Sequence, residues 1–278
     1  MRSGVPGDVA PRNDEGAAAL AGLQDKTSVP DIVVKKLHRE ISALRMSRHM
    51  TIAGGDERLA LQLHAWNAAL AGALLPGLHI AEVTIRNMAA HRVKARYKGT
   101  WFESLDFTRK LGKSEHAKKL RSAVDRRKVT TTNAGDISSY LVRDLSFGFW
   151  VNIFTRTFHE ELWKHNLWTY LPSVPHGYTI TQLHADIDEI RTFRNQVAHH
   201  MNLVSKPPPR SAEDQHDAMM RTLKYLSPQV ELHARAICTF PLVWQCCPMA
   251  LTDFQAAVLV MDTARRGLNR PRAPAVTA

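Results

Sequence analysis

The sequence predicts an all-α protein, and three observations carry that prediction. Apolar residues recur three and four apart in nearly every segment between residues 32 and 266, the spacing that gathers them on one helical face. No two alternating runs are joined by a turn of the Asn-Gly kind, the short-range mark of a β-hairpin. Apolar residues make up 44% of the 278, enough to build a core, so a wholly disordered chain is excluded.

Taken in order, residues 1–31 are rich in Gly, Pro, Asp and Ala without periodicity and read as a disordered tail. One all-α domain is expected over residues 32–266, followed by a disordered basic tail over 267–278. Val33, Leu37, Ile41 and Leu44 mark a helix that the string TIAGG breaks. A long helix follows over residues 56–75, capped by Asp56 and ended by Pro76-Gly77, and the next helix begins at Leu78. GTWFES marks a turn, and KSEHAKKLRSAVDRRK a basic helix. The apolar stretch ISSYLVRDLSFGFWVNIF is ambiguous by periodicity; its helical surroundings assign it to helix, broken near Gly148. Thr179 or Thr181 caps a helix that runs to the proline run SKPPPR, residues 211–239 supply another divided at Pro228, and a last helix covers residues 251–266.

Net charge is +11, and the excess is localised. Residues 91–128 carry thirteen Lys and Arg against four acids, nine of the eleven net positive charges. Such a block favours a polyanionic partner, and Lys118, Lys119 and Arg121 are its candidate RNA-binding residues. Tyr97, Trp101, Phe102 and Phe107 interleave with it, a composition that either stacks bases or packs into the core, the latter being the commoner fate of helix-spaced aromatics. No apolar run approaches the roughly 18 residues a membrane helix needs, and the first twenty residues lack the basic-then-apolar pattern of a secretion signal. Cys238, Cys246 and Cys247 cannot form a disulfide framework, so a reducing cytoplasm is the expected location.

The chemistry concentrates in IRTFRNQVAHH, residues 190–200. Ile187, Ile190, Phe193, Val197 and Met201 form an apolar stripe, Arg194 falls at its edge, and Asn195 and His199 share another face one turn apart. A guanidinium so close to a core needs a carboxylate or an anionic ligand beside it. Arg, Asn and His together suit phosphate chemistry: Arg holds the anion bidentately, His moves protons near neutral pH, and Asn can orient either. A second segment, Arg86-Asn87-Met88-Ala89-Ala90-His91, repeats the Arg-Asn-x-x-x-His spacing, with Glu82 one turn ahead of Arg86. Either Arg86 is a structural cation paired with Glu82 while His91 lies exposed, or this segment faces the first and Glu82 or Arg86 lines a cleft between them.

Arg194-Asn195-x-x-x-His199 resembles the signature of HEPN nucleases, in which a polar residue follows the Arg and a His comes about four to six residues after it. The longer run is similar to the abortive-infection (Abi) branch, whose members usually read Arg-Asn-Arg-Ile-Ala-His-His-Glu-Pro. This chain departs from that pattern with Gln196 for the second Arg, which removes a positive charge, and with Met201-Asn202 for Glu-Pro, which bears on how the helix ends. Ala65-Trp66-Asn67, Glu82-Val83-x-x-Arg86-Asn87 and Phe147-Gly148-Phe149-Trp150 also resemble the family, so the resemblance covers roughly residues 35 to 205. It implies a HEPN-like helical bundle with additional helices. It also implies a homodimer and a metal-independent endoribonuclease of an antiphage abortive-infection or toxin–antitoxin system, in which an antitoxin or other regulatory partner restrains the toxin.

The residues leave the same chemistry standing when others are set aside. Fourteen histidines occur, but no His-Glu-x-x-His, Cys-x-x-Cys or facial-triad spacing, so neither a metal nor another cofactor is expected. Gly-x-Ser-x-Gly and the nucleotide-binding loops are absent too. Phosphodiester cleavage in RNA needs only a proton shuttle and a cation on the phosphate, because the neighbouring 2′-hydroxyl is the nucleophile. His199 is the candidate acid or base, Arg194 stabilises the transition-state charge, and Glu82, Arg86, Asn87 and His91 form the second candidate motif. The alternative from another class is a catalytically inactive all-helical module that binds RNA or a partner protein, with Arg194 and His199 serving only the core.

Overall fold

The computed structural model describes residues 30–163, 171, 173–207 and 209–268. Apart from residues at their inner ends, the two tails expected to be disordered lie outside the described residues. Every regular element among the described residues is helical, and no strand occurs among them. The described residues fall into two compact units, residues 30–61 and those from Gln62 onward.

The first unit holds α1 (Asp31–Ile41), α2 (Ala43–Ile52) and the opening of α3 (Glu57–Tyr97). Ser42, with φ of 84°, divides α1 from α2 where the sequence predicts one helix, and its hydroxyl accepts from the Arg45 backbone N–H to cap α2. Gly54 and Gly55, with φ of 61° and 92°, make the break at TIAGG, and Asp56 Oδ1 then caps α3 by accepting from the backbone of Arg58 and Leu59.

In the second unit α3 is the axis. It runs unbroken through Pro76, where the sequence predicts two helices. Leu63, Leu70, Leu74, Leu78, Ala81, Ile85, Ala89 and Val93 form a buried stripe that passes the proline without interruption. Pro76 removes an N–H and crowds the preceding turn, which should favour a break. The proline takes the donor of the Gly72 carbonyl; at the neighbouring carbonyl, Ala73, the Cys238 thiol donates at 3.5 Å, and Gly77 lets Met219 and Cys238 approach so closely that a Cβ would lie 3.0 Å from the Met219 methyl. Because Pro76 does not divide it, α3 is long and apolar enough to cross a membrane by length and composition, contrary to the sequence expectation; the core helix of a soluble protein meets the same criterion.

After α3 come a 3₁₀ turn (Trp101–Glu103), α4 (Leu105–Leu111), α5 (Glu115–Lys128), α6 (Ala134–Asp144) and α7 (Phe147–Asn152). The break in this apolar stretch falls at Leu145-Ser146, not at Gly148. The Ser146 hydroxyl starts α7 by accepting from the Phe149 N–H, while Gly148 sits inside α7 where a Cβ would meet Arg191 at 3.8 Å. A helical turn (Arg156–Phe158) leads into a π-helical turn (His159–Trp163). Then follow α8 (Ile180–Ala198), α9 (Ala212–Leu226), α10 (Pro228–Ile237), α11 (Phe240–Gln245) and α12 (Leu251–Leu268). Ser227 and Pro228 divide α9 from α10 as the sequence predicts, with the proline at the first helical position where its missing N–H costs nothing.

The end of α8 differs from expectation and shapes the site. Rather than running on towards the prolines, the helix stops at Ala198 with His199 as its C-cap. His200 takes the left-handed conformation, φ 54°, its N–H donates to Val197 O at 3.1 Å, and Met201 N–H donates to Gln196 O at 2.9 Å. This is the Schellman arrangement, with a histidine where glycine is usual. Met201 therefore leaves the apolar stripe and is 52% exposed. His200→Gly should relieve the left-handed penalty, only partly offset by greater unfolded-chain entropy, and raise stability by about 0.5–1 kcal/mol. Urea denaturation checks this; a fall in stability would show that the His200 ring makes contacts worth more than the strain.

Candidate functional site

α8 is positioned by its own sequence. Thr179 and Gln182 form a capping box at its start, and Ile187, Ile190, Phe193 and Val197 are buried. That face fixes the rotation of the helix and leaves Arg194 at the edge of the core with a side chain 40% exposed. The carboxylate it requires comes from α3: Arg194 Nε donates to Glu82 Oε2 at 2.9 Å. The other oxygen of Glu82 pairs with Arg86 Nη2. Glu82 is 13% exposed and lies between two guanidinium groups, leaving the trio one positive charge in excess. Arg86 Nε is buried and has no hydrogen-bond partner. The two Arg-Asn segments thus meet through one carboxylate, and Arg86 is both paired with Glu82 and placed beside the first motif.

The remaining motif residues are arranged less tightly. Asn195 Oδ1 accepts from Arg194 Nη1 at 3.3 Å, so of its two possible partners it serves the arginine. His199 is exposed at the helix end, and Asn87 and His91 are exposed on α3. Among the described residues no hydrogen bond joins the His199 ring to Arg194, Asn195 or the second segment.

One positioning residue is missed by the sequence reading. Asn67 on α3 is 7% exposed, accepts the Leu203 N–H at 2.7 Å and donates to the Met201 carbonyl at 3.4 Å. It clamps the chain just after His199-His200 and so holds the turn that presents them. Its only signal in the sequence is its place in Ala65-Trp66-Asn67; a polar residue facing a segment 136 positions away has no local signature.

The basic block separates into two parts. Tyr97 is half-buried, packed on Phe107 with its hydroxyl on Glu161, and the other three aromatics belong to the core: Trp101 and Phe107 are 0% exposed, Phe102 is 4% exposed, and Trp101 packs edge-on to Phe107 and against Trp150. They cannot stack bases. Several cations are also committed, Lys110 to Glu161 at 3.0 Å, Lys128 to Glu103 at 2.6 Å and Arg127 to Asp144. What remains is a face of α5. Lys118, Lys119 and Arg126 line an open groove of about 360 Å³ that also touches Asp144 and Ser146. Arg121 is exposed but does not line it, and Arg126, which the sequence reading did not single out, does. Lys118 pairs with Glu115 at 2.6 Å, while Lys119, Arg121 and Arg126 carry no ion pair among the described residues. No group of three or more His, Cys, Asp or Glu among the described residues could hold a metal ion.

What fold and site define together is an all-α protein in which one carboxylate joins two Arg-Asn segments, with His199 exposed at the end of the helix that bears Arg194. Comparison with family models, with curated proteins and with solved structures gives no match.

Proposed function

We propose that this protein is a metal-independent endoribonuclease of the HEPN type, acting in the cytoplasm as the toxic component of an abortive-infection or toxin–antitoxin system. The observation that carries the reading is the meeting of the two Arg-Asn segments at Glu82, with His199 exposed at the end of the helix that bears Arg194. Arg194 holds a phosphate and stabilises the charge that builds on it, His199 accepts or donates the proton, and the substrate's 2′-hydroxyl attacks its own phosphorus. Products end in 2′,3′-cyclic phosphate and 5′-hydroxyl. One imidazole cannot easily serve both the attacking and the leaving oxygen, so a second protomer in a symmetric homodimer, or His91 in the same chain, completes the site. A protein that cuts cellular RNA must be restrained in its host, which calls for an antitoxin or other regulatory partner.

The test is RNA breakdown by the purified protein in EDTA, with RNA bearing 2′-O-methyl groups at the cut site as the resistant control. Cleavage of the methylated RNA at an equal rate would remove the mechanism. A second reading, an inactive module that binds RNA or protein, has one observation in its favour: Arg194 is already neutralised by Glu82.

Both readings engage the cationic face of α5. If Lys118, Lys119, Arg121 and Arg126 neutralise phosphates, log affinity for RNA should fall linearly with log salt. Reversing Lys118, Lys119 and Arg121 to Glu should flatten that slope by about two to three units at roughly 0.7–0.9 per phosphate contact. An unchanged slope would assign the face to solvent.

A further inference from the structure

The cationic groove on α5 and the Arg194 site on α8 are joined through α7. Lys118, Lys119, Ser122 and Arg126 line the groove on α5, and Asp144, Leu145 and Ser146, which lead into α7, line it as well. Lys118 faces Glu115 and Asp144 faces Arg127, but Lys119 and Arg126 carry no ion pair among the described residues, so the groove keeps a positive excess. Ser146 is exposed and Gly148 half-buried. Gly148 has no side chain, and the place a Cβ would take lies 3.8 Å from Cδ of Arg191 on α8. Its neighbour Phe149 meets the ring of His116 on α5 edge to face, with centroids 6.0 Å apart and planes at 78°. The first turn of α7 therefore touches both α5 and α8.

The charges agree with that contact. Burial, and then the positive charges of Lys119 and Arg191, hold the His116 imidazole below its ordinary range, with Glu115 opposing. Through-space effects of this kind fade over a Debye length of about 8–10 Å, so cations from both helices stand near one ring. Arg191 is the link onward to the motif, because Arg194 and Asn195, three and four residues later, are its neighbours on the helix surface. At a rise of about 1.5 Å per residue, His199 lies about 12 Å further along the axis. The Arg191 side chain is 32% exposed and donates Nε to Asp188 Oδ1 at 2.7 Å, while its terminal nitrogens make no hydrogen bond among the described residues. A guanidinium anchored at Nε keeps the rest of its donors for a phosphate.

We propose that an RNA strand runs from the α5 groove, across the gap at Gly148 and past Arg191, to Arg194 and His199, with Arg191 as a phosphate-positioning residue. The destination rests on the nuclease reading, and the path rests on the cations and the glycine between them. Trp101, Phe102 and Phe107 are buried and take no part, so the track grips the backbone and does not read bases. Glycine at 148 keeps the middle of the path free of side-chain bulk and charge.

The test uses the full chain and an RNA of about eight nucleotides, 2′-O-methylated throughout so that nothing is cut, a length within the range a single-strand groove covers. Gly148→Glu should weaken its binding by about tenfold at low salt relative to Gly148→Gln, which has the same shape without the charge, and flatten the salt dependence by roughly one unit. Arg191→Gln should flatten that dependence by a similar amount. A Cβ at 148 meets Arg191 at ordinary contact distance, so both substitutions there should leave the helical circular dichroism unchanged. Placing 4-thiouridine at either end of the same RNA then maps the path by photo-crosslinking. One end should join the segment 118–126 and the other the segment 194–199. Neither measurement requires cleavage, so the track is tested apart from the chemistry. Gly148→Glu binding as tightly as Gly148→Gln, or both RNA ends joining α5 alone, would overturn the track and leave the nuclease reading to its own test.

Discussion

Replacing His199 with alanine is expected to slow RNA cleavage by about 10²–10⁴-fold, the range that a positioned general acid or base contributes. The geometry makes this a clean experiment. His199 is exposed at the end of α8, lies off the buried stripe, and its ring bonds to none of its motif neighbours, so its removal opens no cavity and orphans no partner. The helical signal and the affinity for RNA should therefore stay close to those of the parent, because proton transfer is a contribution of the transition state and not of binding. Rates are compared in EDTA on a defined RNA, with product ends identified chemically. A His199→Ala protein that cuts as fast as the parent would make the motif structural and leave the inactive-module reading in place. Arg194→Lys is the safer companion to Arg194→Ala, since it keeps the charge near Glu82 but loses the fork that grips phosphate.

The second large effect is on stability. Glu82→Ala should destabilise the protein by about 2–3 kcal/mol, below the roughly 3–5 kcal/mol that removing one member of a fully buried ion pair costs. The reduction below that range follows from Arg194, whose side chain is 40% exposed and partly screened by water. Arg86 carries most of the loss, because it is 18% exposed and its Nε already lacks a partner. Adding Arg86→Met to Glu82→Ala should therefore recover a substantial part, by replacing an unpaired buried cation with an apolar chain of similar length. Urea midpoints of the two single variants and the double variant measure this. A Glu82→Ala midpoint equal to the parent's would mean that water, not the carboxylate, balances both guanidinium groups.

The parts of the fold governed by local rules were legible in the sequence. Thr179 caps α8 because a hydroxyl followed by Gln182 closes a capping box within four residues, and the α8 stripe follows from periodicity alone. Ser227-Pro228 divides two helices for equally local reasons. The failures arise where a distant group overrides a local preference or where the deciding local choice leaves no mark in the residue type. Pro76 does not end α3, whose buried stripe runs on past it and whose turn there is held by the Cys238 thiol on the Ala73 carbonyl and by close packing at Gly77. Gly148 is no breaker, because the Ser146 hydroxyl starts α7 two residues earlier and the helix runs through it. The helix stops before His199 because His200 turns left-handed, a choice that histidine tolerates more readily than most residues but does not announce. At the site, the need of Arg194 for a carboxylate and its contact with Asn195 could be argued from its own helix, but Glu82 as the carboxylate that meets it, and Asn67 as the clamp behind the turn, depend on which helices become neighbours.

The bond from Cys238 to the middle of α3 also makes this thiol a built-in reporter of breathing. It is 8% exposed, burial raises it above the ordinary thiol range, and it is held against Ala73, whereas Cys246 is half-exposed on the following segment. A thiol reagent at neutral pH should modify Cys246 on mixing and reach Cys238 only in the fraction of molecules whose α10 has lifted from α3. The slow phase then counts those openings, and its rate divided by that of an unprotected thiol gives the free energy of local unfolding at the proline. Mass spectrometry of modified peptides follows both sites at once, and simultaneous modification would show that α10 is not held down there.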